Sequence, residues 1–239
     1  MPQFSKNSSI HCILLDIEGT TSSVDFVYKT LFPFASENVE KFLRRHFSEA
    51  EVQSIVADLR AEHGAENWKN RTPEEAISSA SAYVKELIAQ DRKLTALKTL
   101  QGKIWEEGFR SGNLKGHVYE DVPKAFERWR VEGKRIAIFS SGSVLAQKLL
   151  FEHSIAGDLT KYIEAYFDTT TGPKRQPASY AAIAKELGVA SSSVLFVSDV
   201  TAELDAAAEA GMRTALMLRS GTFRPNPGVH VSIETFDEL

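Results

Sequence analysis

From Gly116 to Leu218 the chain alternates between two periodicities. A helical pattern at Val122–Val131 leads through Glu132-Gly133 into an apolar run at Arg135–Ser140. A helix from about Val144 to His153 precedes a strand at Ile163–Phe167, and a helix at Ala178–Leu187, closed by Gly188, precedes a strand at Val194–Ser198. A helix at Ala202–Ala210, ended by Gly211, is followed by a last strand at Thr214–Leu218. Strands separated by helices of this length point to βαβ units and a parallel sheet. Ile10–Asp16 is a further short apolar run with polar flanks and reads as a buried strand. The fold class predicted is α/β, with a Rossmann-like parallel sheet as its core.

The stretch between that first strand and Gly116 has another character. Val27, Leu31, Phe34, Val39, Phe42 and Leu43 recur at helical spacings, as do Val52, Ile55, Val56 and Leu59 after Ser48, which is placed to cap them. Thr72-Pro73-Glu74-Glu75 carries a capping threonine, a proline at the first turn and an acid three residues on. Another helix is expected from about Leu94 to Phe109, and no strand pattern interrupts the block. The expected organisation is therefore a core made of residues 1–22 and 116–239, with an all-helical cap at 23–115. The tail after about Arg219, rich in Gly and Pro, reads as an irregular wrap.

The formal net charge of −4 comes from both signs interspersed, without a basic block. This gives no support for nucleic acid or an anionic membrane as a partner. Cys12 is the only cysteine, which excludes an intramolecular disulfide and a cysteine-rich metal site. The start, MPQFSKNSSIH, has no apolar core of a signal peptide, and no apolar run approaches the ~20 residues of a membrane span. A cytoplasmic protein, with a nuclear pool compatible with the same signals, and a monomeric state are the expectations.

In open parallel sheets ligands bind beyond the carboxyl ends of the strands. Those ends read LLDIEGTT, IFSSGS and LFVSDV, with the loop TTTGPKRQP after the third strand. They present Asp16, Glu18, Ser140, Ser141, Lys174 and Asp199. Carboxylates ending an apolar run must be paired, set at an edge, or bound to a cation. Acids able to share a hard cation stand beside small residues whose turn leaves backbone N–H groups for an anion, and beside one compact cation. Such a set can hold a divalent metal and a phosphate at adjacent points. Each element alone has an ordinary explanation: Asp16 as a turn former, Ser140-Ser141-Gly142 as a turn, Lys174 as a solvated side chain, Asp199 as the cap of the next helix. Their order along the chain, each at a strand end or in the following loop, favours the joint reading.

This order resembles the haloacid-dehalogenase-like phosphohydrolase superfamily. Its first motif is matched by Asp16-Ile17-Glu18-Gly19-Thr20 and its second by Ser140 in IFSSG. Its lysine motif is matched by Lys174 through Tyr180, with Arg175 in place of the usual first proline, and its acidic motif by Asp199 and Glu203. Within the superfamily, Glu18 in DIEGTT, Phe26, Leu31-Phe32-Pro33, IWEEGFRSGNLKGHVYEDV (104–122), SSGSVLAQKLLF (140–151) and FVSDVTAELDAA (196–207) are similar to the enolase-phosphatases of methionine salvage.

The resemblance implies Asp16 as nucleophile, Glu18 as general acid and base, and Ser140, Ser141 and Lys174 as phosphate-binding residues. It implies Mg²⁺ as cofactor, held by Asp16, the Glu18 carbonyl and Asp199, with Glu203 orienting ligands or waters. The implied reaction is enolisation and then dephosphorylation of 2,3-diketo-5-methylthiopentyl-1-phosphate to the acireductone, a small-molecule phosphate ester being the only partner. Phe26, Phe32, Phe34, Trp68, Trp105 and Phe109 are available to a methylthio group, although core packing is the commoner use of such residues. His117 and Tyr119, where cap rejoins core, are candidates for a gate, with a structural histidine as the plainer reading. The rival readings are a phosphatase of another small ester, a metal-independent 2-haloacid dehalogenase, which would leave Glu18, Asp199 and Glu203 without a task, and a non-enzymatic binding module.

Overall fold

A computed structural model describes residues 10–64, 68–69, 71–220 and 226–239. The expectation for the polar N-terminus, and part of that for the Gly/Pro tail, fall on residues outside this set. In chain order the elements are β1 (Cys12–Leu15), α1 (Val24–Phe26), which runs through a π-helical turn at Val27–Leu31 into α2 (Phe32–His46), α3 (Ala50–His63), α4 (Pro73–Ala89), α5 (Thr95–Arg110), α6 (Asp121–Val131), β2 (Arg135–Phe139), α7 (Val144–Glu152), β3 (Ala165–Phe167), α8 (Pro177–Leu187), β4 (Val194–Ser198), α9 (Thr201–Glu209), β5 (Arg213–Met217) and β6 (Val231–Ile233). By internal contacts the chain divides into two compact units, residues 1–24 with 115–239, and residues 25–114.

The first unit is built on one parallel sheet of order β3-β2-β1-β4-β5-β6, an α/β Rossmann-like fold. β1 lies between β2 and β4, and every residue of CILL is buried, as expected of a strand covered on both faces. The chain builds outward from β1 through β2 to β3, then returns to place β4 on the other side of β1. The strand order therefore reverses at the β1–β4 boundary, where α/β sheets open a crevice for ligands. Leu15 pairs with Ile138 and Val197, so the next residue, Asp16, ends level with Phe139 and Ser198. Its N–H continues the ladder to the Val197 carbonyl (3.0 Å). One face of the sheet packs Phe139, Phe167 and Phe196 with Tyr180, Ile183 and Leu187 of α8 and Leu204 of α9.

Local signals explain the helix ends. Gly188 closes α8 in the left-handed conformation (φ 67°), and the Ser143 side chain caps α7 by accepting the Ala146 N–H (3.3 Å). The tail departs from expectation. Its Gly/Pro composition concealed β6, which adds to the sheet edge beside β5, and a 3₁₀ turn at Phe236–Glu238 fixed by a capping box between Thr235 and Glu238.

The helical unit holds its own core, in which Val39, Leu43, Val52, Leu59, Ala80, Val84 and Leu100 are buried. Thr72 caps α4 as expected: its hydroxyl accepts the Glu75 N–H (3.2 Å), while the Glu75 carboxylate accepts the Arg71 N–H (2.9 Å). Ser48 does not cap α3. Glu49 occupies that position, with no side-chain capping bond, and its carboxylate lies 2.6 Å from His46 Nδ1 instead. Of the candidate methylthio-binding aromatics, Trp68 belongs to this core and Phe32, Phe34 and Trp105 pack against it. Phe26, Trp68 and Phe109 are buried, and the Trp105 indole donates to the Leu31 carbonyl at the π turn (2.8 Å). Phe32 and Phe34 pack on the same core, Phe34 so closely that a Cβ on Gly108 would lie 2.6 Å from its ring. No helix among the described residues is long and apolar enough to cross a membrane.

The central strand supplies the test of this packing. Leu14→Ala, with no exposure in the parent, is expected to cost about 2–5 kcal/mol. Urea unfolding should show a lower midpoint at unchanged slope, and a loss below about 1 kcal/mol would contradict the packing described.

Candidate active site

Asp16, Lys174 and Glu203 form a buried charged cluster in the sheet unit. Lys174 Nζ lies 2.7 Å from Asp16 Oδ1 and 2.7 Å from Glu203 Oε2, and all three side chains are nearly removed from solvent. The lysine comes from the loop after β3, where the Tyr180 hydroxyl of α8 donates to the Lys174 carbonyl (2.6 Å) and so fixes the point from which its side chain departs. Asp16 Oδ1 also accepts the Ile17 N–H (2.7 Å). Ser198, the last residue of β4, sets its hydroxyl 3.1 Å from Asp16 Oδ2 and 3.1 Å from Glu203 Oε2, and its oxygen accepts the Val200 N–H. One hydroxyl proton can serve only one of those carboxylates at a time.

The turn after β1 is wound around a single carbonyl. Thr20, Thr21 and Ser22 all donate their N–H to Ile17 O, and Gly19 N–H reaches back to Ser22 O (2.8 Å). Gly19 is required twice over. Its φ of +73° suits glycine, and a Cβ there would lie 2.0 Å from Asp199 Oδ2. That near-contact places the Asp199 carboxylate against the turn that carries Glu18, which is half-buried. Asp199 is no helix cap: Val200 stands at the start of α9 and no side chain caps it.

At the end of β2 the buried Ser140 shapes the turn by accepting the Gly142 N–H (3.2 Å), whereas Ser141 is exposed. Gln147, which the sequence reading did not single out, holds this turn from beneath. Its buried amide donates to Gly142 O and Phe167 O, both at 2.8 Å. Ser198 was also missed, although a polar residue closing an apolar strand is the same signal that marked Asp16. His117 is satisfied locally, accepting the Ser23 N–H at Nδ1 (3.1 Å) with the Ser22 hydroxyl 3.3 Å away, in keeping with the structural reading. Burial, and secondarily the Arg219 charge, hold its pKa below the usual histidine value.

Electrostatically the site carries more acid than base. Burial opposes a charge on Lys174, but the adjacent Asp16 and Glu203 carboxylates outweigh it and raise its pKa. Asp199 is pushed up to about 7, first by burial and next by the charge of Asp16; Glu203 is likewise raised to about 7 by burial and by Asp16. A single lysine thus leaves negative charge uncompensated. An all-oxygen donor set with excess negative charge fits a hard divalent cation better than a soft one. Among the described residues no three acidic, histidine or cysteine side chains gather into a full protein cage.

Comparison with known proteins gives this arrangement its family. Residues 10–211 match the haloacid dehalogenase-like hydrolase family. The chain is 52% identical over 237 residues to the enolase-phosphatase E1 of Synechococcus elongatus, covering 97% of this chain and 98% of that protein. It is 48% identical over 213 residues to the enolase-phosphatase E1 of Drosophila melanogaster, covering 87% and 83%. The chain belongs to the haloacid dehalogenase-like hydrolases and, among them, to the enolase-phosphatase E1 family. The crystal structure of the UTR4 protein of Saccharomyces cerevisiae superposes with a TM-score of 0.79 at 37% identity, over 96% of this chain and 100% of that one. CbbY of Rhodobacter sphaeroides, at 15% identity and a TM-score of 0.60, shares the fold.

The raised pKa of Asp199 sets a test with a definite sign. The folded, metal-free chain binds this proton more tightly than the unfolded chain does, since the group stands at about 7 against an ordinary 3.8. The ionised carboxylate therefore costs stability fully above about pH 7, and the cost vanishes below the unfolded value. With a chelator present, Asp199→Asn should melt above the parent at about pH 8, and the gap should close by about pH 4. A gap independent of pH would contradict the electrostatic reading.

Proposed function

We propose that this enzyme converts 2,3-diketo-5-methylthiopentyl-1-phosphate to the acireductone and phosphate, by enolisation followed by phosphoryl transfer to Asp16. The observation that carries the reading is the Asp16–Lys174–Glu203 cluster at the point where the strand order reverses, with Asp199 and Glu18 on the adjoining turns. The family supports the choice of reaction.

In this reading Asp16 attacks phosphorus, and the ester oxygen leaves as Glu18 gives it a proton. Glu18 then takes a proton from the water that hydrolyses the aspartyl phosphate, so one hard step is divided into two. Positioning and charge stabilisation carry most of the work in phosphoryl transfer. Lys174 and the Ser140–Ser141 turn hold phosphate oxygens, Ser140 with a hydroxyl already oriented by Gly142. Asp16, the Glu18 carbonyl and Asp199 would hold Mg²⁺, which when bound offsets the repulsion between a carboxylate nucleophile and an anionic phosphate. Glu203 and Ser198 orient Asp16 and its lysine. For enolisation Glu18 is the base, its extra methylene relative to Asp giving it the reach to a carbon acidified by the neighbouring carbonyl.

Incubation with the diketo phosphate and Mg²⁺, following enol absorbance and released phosphate together, tests the reading. Enol formation should precede phosphate release, and chelation should abolish the release. Glu18→Gln should slow both steps by about 10²–10⁴-fold, the range supplied by one positioned proton-transfer group. Undiminished enol formation in that variant would remove Glu18 from the first step, and a parent chain inert toward this substrate but active on simpler esters would overturn the substrate.

A further inference from the structure

Arg219 lies two residues beyond β5, in the part of the chain that the motifs leave unassigned, and it is buried (5% exposed). Its guanidinium directs two donors at one acceptor: Nε and Nη2 both bond the Thr20 carbonyl, at 2.9 and 2.7 Å. Nη1 pairs with Asp121 Oδ2 (2.7 Å), and Glu234 O lies 3.5 Å from the same nitrogen. The plane of the group is flanked by the rings of Tyr119, 4.2 Å away, and Phe236, 4.8 Å away. Asp121 Oδ2 also accepts the Phe236 N–H (2.7 Å), and Arg128 donates to the Phe236 carbonyl (2.6 Å). The fork thus joins the turn bearing Glu18 and Gly19 to the start of α6 and to the C-terminal 3₁₀ turn.

We propose that Arg219 is a positioning residue for the reaction, holding the Thr20 carbonyl, and through it the turn that carries Glu18 and Gly19, in the geometry the two carboxylates require. Three observations set this apart from a general packing role. Both Thr20 bonds fall on the backbone of the turn itself, two residues from Glu18. The turn's internal bonds run to Ile17 O and Ser22 O, and outside elements meet it at Thr21 O, through the Tyr119 N–H (3.1 Å), and at the Thr20 carbonyl, where the grip is a charged, two-donor one. The cation is balanced by Asp121 within the same clamp, which makes a direct phosphate ligand the poorer reading. The two-donor grip also needs a planar fork and not merely a positive charge. The C-terminal turn thereby takes part in the clamp: its Phe236 is one wall of the slot in which the guanidinium sits.

The inference rests on the proposed reading that Asp16 and Glu18 are the reacting carboxylates, and its test is arranged to separate the two. The full-length Arg219→Gln/Asp121→Asn double variant removes both charges together and so avoids leaving either one buried alone. It is compared with Arg219→Lys, which keeps the charge and loses the fork. Steady-state kinetics are taken with Mg²⁺ on the diketo phosphate and on p-nitrophenyl phosphate, and amide hydrogen exchange is followed in peptides spanning residues 12–23.

The expected result is a kcat lower by about tenfold or more in both variants, KM within about threefold of the parent, and faster exchange in the turn. Unchanged kcat with only a lower melting temperature would overturn the proposal, as would a rise in KM at constant kcat, which would make Arg219 a substrate ligand. If the parent hydrolyses p-nitrophenyl phosphate and not the diketo phosphate, the substrate reading fails while the kcat comparison still judges Arg219. If the parent hydrolyses neither, hydrogen exchange decides, unaltered protection counting against the proposal and lost protection for it. Should the double variant not fold, Phe236→Leu, which trims one wall and leaves every charge, is expected to lower kcat in the same direction, and a parent-like kcat there would overturn the role of the slot.

Discussion

The buried ammonium of Lys174 between two carboxylates is the interaction on which the rest of the site depends. Asp16 and Glu203 come from the ends of different elements, one after β1 and one in α9, and a lysine from a third loop holds them together. Removing two acids and a lysine from water costs several kcal/mol per ion, and their attraction repays this only when the remaining donors and acceptors are also satisfied. The chain supplies those partners from its framework: Ile17 N–H and the Ser198 hydroxyl for Asp16, and the Tyr180 hydroxyl for the Lys174 backbone. Parallel pairing of β1 with β4 brings Asp16 level with Ser198, so the sheet register itself sets the site.

The cluster is incomplete by charge. Asp199 and Glu203 are both raised to about 7, chiefly by burial and by the proximity of Asp16. A chain selected for stability alone would not gather acids in this way, and such strain is characteristic of functional sites. The same excess of acid is what a divalent cation would offset, lowering the repulsion an anionic phosphate meets there. Gly19 shows how tightly the arrangement is drawn, since the Asp199 carboxylate occupies the space where any other residue would carry its side chain.

Much of this was legible in the sequence because the relevant signals are local. Strand and helix periods, Gly188 and Thr72-Pro73 placed the elements to within a few residues, and a charged residue ending an apolar run marked Asp16 and Asp199. What was missed depended on tertiary context. β6 is three residues long in a Gly/Pro-rich segment, and it becomes a strand because the edge of β5 offers it a ladder. Ser48 looks like a cap by residue type, yet the helix begins two residues later, at Ala50, with Glu49 in the capping position. Gln147 lies within a helix pattern, and only the fold reveals that it holds the turn of Ser140. Arg219 did carry the signal, a charge just after a strand, but its partners Thr20 and Asp121 stand 199 and 98 residues away in sequence.

The central claim, that Asp16 takes the phosphoryl group, is most directly tested by trapping. Rapid acid quench of a single turnover with phosphate-labelled substrate, followed by peptide mapping, should place a hydroxylamine-labile label on the peptide containing Asp16 and none on it after Asp16→Asn. Label on another residue, or turnover with no enzyme-bound phosphate at any time, would contradict the account.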